Sequence, residues 1–212
     1  MKNSALHRQI LFLHRWIGLI IGLFLLISCL SGAMLIIGKL VGSNAPFFGA
    51  MKTLHRSLFL GSSGRLIVGS AALLLIIEII TGYILWYDIA KALIHSSLMR
   101  GASALHGLRL SLSWTRPNLC HGLHVGPGIW AGIPLLLMAI TGLTWSFQWW
   151  NDLIYLIFDP TGQVNTFHTI HALHVGSFAG TFSRLLWLGA AIIGGTLPVS
   201  GLLIYLRKNY KL

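Results

Sequence analysis

Apolar residues fall in four long runs, Trp16 to Gly38, Leu66 to Tyr87, Ile129 to Trp150 and Leu185 to Leu206, separated by polar connections that hold the basic residues. A hydrocarbon core of about 30 Å takes about 20 helical residues to cross, so each run is long enough for a transmembrane helix. The first run follows Lys2, Arg8 and Arg15, as the core of a secretion signal would. Its apolar stretch is too long for such a core and reads as an uncleaved span. The pattern predicts an all-α membrane protein, a four-helix transmembrane bundle forming a single domain over residues 1–212.

Composition narrows the class. Of the residues, 55% are apolar and 9% charged, against roughly 25% charged in a soluble domain, which excludes an ordinary water-soluble globule. The formal charge of +11 comes from 15 Lys+Arg against 4 Asp+Glu. Those cations lie between apolar runs rather than on one amphipathic face, so they report topology and not nucleic-acid binding. With the N-terminus inside, segments 1–15, 88–128 and 207–212 hold ten: Lys2, Arg8, Arg15, Lys91, Arg100, Arg109, Arg116, Arg207, Lys208 and Lys211. The outer segments hold five: Lys39, Lys52, Arg56, Arg65 and Arg184. This excess places both termini in the cytoplasm. Trp16, Trp86, Tyr87, Trp130 and Tyr205 then mark one interface, and Trp145, Trp149, Trp150 and Trp187 the other. Cys29 and Cys120 are too few for a disulfide framework or a four-thiolate metal site.

The chain also repeats itself. At an offset of 110, His14, Gly18, Gly22 and Ser31-Gly32 fall on His124, Gly128, Gly132 and Thr141-Gly142. At an offset of 119, His55, Arg65 and Thr81-Gly82 fall on His174, Arg184 and Ser200-Gly201. Repeat one, about residues 6–87, and repeat two, about 116–206, each read His, span, outer connection, His, span. Both begin on the inside, so they are expected to be parallel repeats related by an axis along the membrane normal.

Symmetry sorts four of the ten histidines into two pairs, His14 with His124 on the inner side and His55 with His174 on the outer side. Ionisable side chains in a membrane need partners, and two imidazoles facing each other across a bundle axis suit an iron between them, which points to haem. Gly18 and Gly22 follow His14 by four and eight residues, as Gly128 and Gly132 follow His124, on nearly the same helical face. Bare backbone there would let a flat macrocycle lie close. Arg15, Arg56, Arg65 and Arg184 are candidates to pair with haem propionates in charge-assisted hydrogen bonds.

Simpler readings of the same residues stand beside these. Glycine at four-residue spacing also packs helices, and Ser31, Thr81, Thr141 and Ser200 can bond back to carbonyls of their own helices. A single interfacial histidine can be a polar residue at headgroup level. His121 and His171, each three residues before His124 and His174, are alternative ligands. The HxxH spacing also allows zinc, although only Cys120 accompanies it. His7, His95, His106 and His168 have no repeat counterpart and read as solvated or interfacial. Glu78, whose repeat equivalent is Leu197, is an intramembrane carboxylate, either a proton relay or a protonated helix contact.

LHRWIGLIIGLFLLISCLSGAML in the first span, LHRSLFLGSSGRLIVG opening the second, IPLLLMAITGLTWS in the third and LPVSGLLIYLRK in the fourth resemble the PepSY-associated transmembrane helix family over nearly the whole chain. The resemblance implies a di-haem b protein of the bacterial inner membrane, similar to ferric-siderophore reductases that pass electrons outward. It implies two haem b groups with His14, His55, His124 and His174 as axial ligands, and His121 and His171 in reserve. Longer members carry soluble periplasmic PepSY domains, chiefly between the first two spans. Here Lys39 to Gly64 is 26 residues, too short for a folded domain. An outer haem is then expected to be open to a periplasmic ferric complex or a redox partner protein. The 41-residue connection Asp88 to Gly128 has no glycine-rich nucleotide fingerprint, so the expected donor is separate, a quinol or a cytoplasmic flavoprotein. The reading is electron transfer from that donor through two haems to a periplasmic acceptor, with ferric iron or a ferric siderophore as the expected substrate. Two alternatives are a cytochrome b-type anchor of a larger redox complex and a non-redox metal-binding transporter or assembly factor.

Overall fold

A computed structural model describes residues 5–111, 119–161 and 165–210. Lys2, Arg116 and Lys211, which enter the charge asymmetry, lie outside the described residues. Among the described residues all regular structure is helical: α1 (Ala5–Leu40), α2 (Pro46–Ser57), α3 (Gly61–Met99), α4 (Ala104–Ser111), α5 (Leu119–Gly142), α6 (Gln148–Phe158), α7 (Thr166–Val175) and α8 (Gly180–Tyr210). A 3-10 turn, Leu143–Trp145, follows α5. Four helices are long and apolar enough to cross a membrane: α1, α3, α5 with its 3-10 extension (Cys120–Trp145), and α8. The expected four-span, all-α architecture is present.

The spans close into a ring, α1 packing on α3 and α8, and α5 packing on the same two. Ala131, Leu135 and Ala190 form the buried centre, joined by Cys29, Ile79, Met138, Ile193 and Leu197. Small side chains at this centre let backbones approach closely, which is how helices associate when lipid is as apolar as their own surfaces. Large apolar side chains such as Ile20, Leu23, Leu66, Ile133 and Leu185 point outward, a surface that a bilayer covers.

Two helix boundaries differ from the apolar runs. α3 continues beyond Tyr87 to Met99, because the segment after Tyr87 lacks Gly and Pro and the helix outlasts its lipid-facing part. α5 begins at Leu119 and Gly142 ends it, so the third span lies upstream of the expected Ile129 to Trp150, and Trp149 and Trp150 belong to α6. Pro127 and Pro134 sit inside α5, where a helix packed among neighbours tolerates proline. His14 and His124 therefore lie within helices rather than just ahead of them.

Short helices precede α3 and α8, and tight corners hold them there. Leu58 and Phe59 turn the chain with φ of 51° and 61°, and a Cβ on Gly64 would overlap the Ser57 carbonyl. Asn165 caps α7 by accepting from the His168 amide at 3.1 Å. Gly176 ends α7 with φ of 70°, and its missing Cβ makes room for Trp187, whose Nε1 donates to the Leu173 carbonyl at 2.9 Å. These corners carry His55 and His174 back onto the spans.

Candidate paired-histidine centres

Each of the four histidines singled out by the repeat docks on a Ser/Thr-Gly pair of a neighbouring span. His14 of α1 donates through Nδ1 to Thr81 Oγ1 of α3 at 3.0 Å. His124 of α5 does the same to Ser200 Oγ of α8 at 3.0 Å. His55 of α2 reaches Ser31 Oγ of α1 at 3.2 Å, and His174 of α7 reaches Thr141 Oγ1 of α5 at 3.1 Å. The glycine after each hydroxyl lets the imidazole lie flat on the span. A Cβ on Gly32, Gly82, Gly142 or Gly201 would stand 3.0 to 3.3 Å from the Cε1 of His55, His14, His174 or His124 respectively.

The direction of these hydrogen bonds fixes the tautomer. Each hydroxyl spends its own proton on the carbonyl four residues earlier: Ser31 on Ile27 at 2.6 Å, Thr81 on Ile77 at 2.8 Å, Thr141 on Leu137 at 2.5 Å and Ser200 on Thr196 at 3.0 Å. The back-bonding expected from the sequence is present, and it leaves each hydroxyl oxygen as an acceptor. A backbone carbonyl three residues before the hydroxyl is a second acceptor, Ser28 for His55 at 2.9 Å and Met138 for His174 at 3.0 Å. The backbone of Glu78 and of Leu197 takes the same place beside His14 and His124. Facing only acceptors, every Nδ1 carries the proton, and every Nε2 keeps a free lone pair.

The four rings meet in two pairs. His14 and His124 have ring centres 6.2 Å apart with planes at 80°, and His55 and His174 have ring centres 6.2 Å apart with planes at 55°. Two imidazoles sharing one metal ion through ring nitrogens would have centres about 6.3 Å apart, from bonds of about 2.0–2.1 Å and roughly 1.1 Å from each nitrogen to its ring centre. The donor set fits a metal held by two nitrogens on opposite sides. Burial pushes the His174 imidazole down to about 3, with His55 adding to the shift. Burial and then the neighbouring Arg56 lower His55 as well, against the raising effect of its hydrogen bond to the Ser28 carbonyl. Both rings are neutral at pH 7, as ligation requires.

The remaining candidates are distributed around these centres. His171 is exposed, stacks on Phe167 at 6.2 Å and meets Trp145 edge-on at 6.3 Å, while His174 is the member that faces His55. His121 lies half-buried one turn before His124. Space over Gly18, Gly22, Gly128 and Gly132 is taken by Glu78, Pro198, Leu197 and Tyr83. These glycines admit side chains of crossing helices, and the glycines against the imidazoles are those of the Ser/Thr-Gly pairs. Glu78 Oε1 stands 3.5 Å from His14 Nδ1, and its buried Oε2 has no hydrogen-bond partner among the described residues. Arg56 and Arg65 line an open cleft with Lys52, and Arg15 of α1 and Arg184 of α8 are half-buried. Two contacts had no distinct sequence signal: His7 meets Asp88 at 2.6 Å, tying α1 to α3, and Trp145 packs 5.0 Å from the His174 ring.

The family model of the PepSY-associated TM region matches residues 36–166, more than half of the chain, and the chain belongs to this family. The match includes His55, Thr81-Gly82, His124 and Thr141-Gly142; His14 and His174 flank it. The resemblance seen in the motifs is borne out at the level of the family. No curated protein and no solved structure matches the chain.

Proposed function

We propose that the chain binds two b-type haems, one between His14 and His124 and one between His55 and His174, and relays electrons across a bacterial inner membrane. The observation that carries this reading is the pair of equal 6.2 Å ring separations, with each Nδ1 tied to a Ser/Thr hydroxyl and each Nε2 free. When bound, haem supplies a one-electron iron couple whose potential follows axial ligation, hydrogen bonding and burial. The chain's own part is to orient four imidazoles, fix their tautomers and keep water from them. Hydrogen bonds to the far ring nitrogen are the usual means of fixing a metal-bound histidine.

The two-ligand sites favour haem over zinc. Structural and catalytic zinc take four and three protein ligands, and no three His, Cys, Asp or Glu side chains converge among the described residues. A macrocycle brings its own equatorial nitrogens and needs two axial partners. The excess of cations in the segments joined to the N-terminus orients the His14–His124 pair toward the cytoplasm. The His55–His174 pair would then hold the outer haem, which would supply electrons to a periplasmic ferric complex or a redox partner protein, and the donor at the inner pair would be a quinol or a cytoplasmic flavoprotein. Replacing one histidine per pair tests the assignment. His14→Ala and His55→Ala are each expected to halve haem content, and the double variant to abolish it. Full haem content in both single variants would reject the pairing.

A further inference from the structure

The corner between α2 and α3 gathers positive charge, including Arg56 and Arg65, two of the arginines able to pair with haem propionates. Lys52 and Arg56 stand one turn apart on α2, Arg65 follows on α3, and together with Thr53, Ser57 and Gly61 they line an open cleft of about 330 Å³. No carboxylate lines this cleft, and none of the three cations forms an ion pair among the described residues. Thr53 and Ser57 direct their hydroxyl protons to the carbonyls of Gly49 and Thr53, at 3.2 and 3.1 Å. The cations are therefore the donors that face the cleft. Three like charges around one space repel each other, and an anion between them relieves that repulsion.

The cleft also has neighbours that define its setting. Arg65 is shared with a second cleft of about 340 Å³ that includes Trp145 and Phe147, and Trp145 reaches the His174 ring at 5.0 Å. Phe59, in the left-handed turn beside it, and the adjoining Leu60 are exposed apolar side chains. Cations next to exposed apolar residues, at the end of a bundle of spans, sit where both water and lipid headgroups have access.

We propose that this cleft binds an anion bearing phosphate or carboxylate groups, held by Lys52, Arg56 and Arg65. Guanidinium groups match the two oxygens of such groups in bidentate geometry, and three cations suit a ligand with more than one negative charge. The oxyanion can belong to a soluble polyanion or to a phospholipid headgroup. Its readout is anion binding itself, so its failure and the failure of the haem reading are distinguishable.

The test is a calorimetric titration of pyrophosphate into the purified full chain in phosphatidylcholine nanodiscs. Saturable binding is expected, weakening with added salt and weakening about tenfold or more in Lys52→Gln/Arg65→Gln, where two of the three charge-assisted contacts are gone. Lys91→Gln, which removes a charge elsewhere on α3, is expected to bind as the unmodified chain does. An unchanged size-exclusion profile shows that both variants fold. Repeating the titration with phosphatidylglycerol in the discs separates the sources: competition identifies a headgroup phosphate, and undiminished binding identifies a soluble anion. Absence of saturable binding in neutral discs would overturn the proposal, as would binding that the double variant leaves unchanged.

Discussion

At the scale of single residues, each histidine is held by an arrangement of three parts: a hydroxyl, a carbonyl one turn behind it and a glycine after it. Removing the hydroxyl leaves the carbonyl, so Thr141→Ala is expected to cost about 0.5–1.5 kcal/mol of stability and to weaken cofactor affinity by about 10–100-fold. Thermal unfolding and haem titration measure the two effects, and Thr141→Ser should restore both. Gly142→Val puts branched carbon where a Cβ alone would stand 3.0 Å from His174 Cε1, and the haem of that pair is expected to be lost outright. Acid also acts here. The folded value of about 3 for His174 lies below the ordinary 6.5, so the unfolded chain binds the extra proton and stability falls with falling pH. Haem-free protein should keep its full melting temperature above about pH 6.5 and lose it progressively toward pH 3, while His174→Gln should flatten that slope. The pairs were legible because four histidines, four Ser/Thr-Gly pairs and two arginines recur in register. The back-bonding of each hydroxyl was legible too, but its docking of an imidazole was not, since that depends on which helix lies opposite.

At the scale of elements, the short helices α2 and α7 matter as much as the spans, because they carry His55 and His174. Their position depends on corners with no room for a side chain. A methyl group on Gly64 must displace the Ser57 carbonyl, and such overpacking typically costs about 1–3 kcal/mol. Gly64→Ala is therefore expected to swing α2 off α3, releasing His55 while leaving the His14–His124 pair intact. Half the wild-type haem content with a lowered melting temperature is the expected result. Hydropathy located the four spans but not their ends, because it marks where lipid lies rather than where hydrogen bonding stops. α3 outlasts its apolar run to Met99, and α5 begins at Leu119, ten residues before the apolar run that opens at Ile129, and continues through Gly126, Pro127 and Gly128. Neighbouring helices supply the support that the local sequence lacks.

At the scale of the whole molecule, four spans in a ring present two equivalent histidine pairs, and residues related by the two sequence offsets make equivalent hydrogen bonds. Family membership and the four-span fold were readable from the motifs and the apolar runs. The cationic cleft was not, because Lys52, Arg56 and Arg65 converge only when the α2–α3 corner closes. The central claim is that this ring holds two haems between imidazoles. It is tested most directly by the visible spectrum of the detergent-purified chain, oxidised and dithionite-reduced, with a pyridine haemochrome count. Two low-spin b haems per chain are expected. A colourless protein that takes up no haem on reconstitution would contradict the account and return the paired histidines to metal binding or simple helix packing.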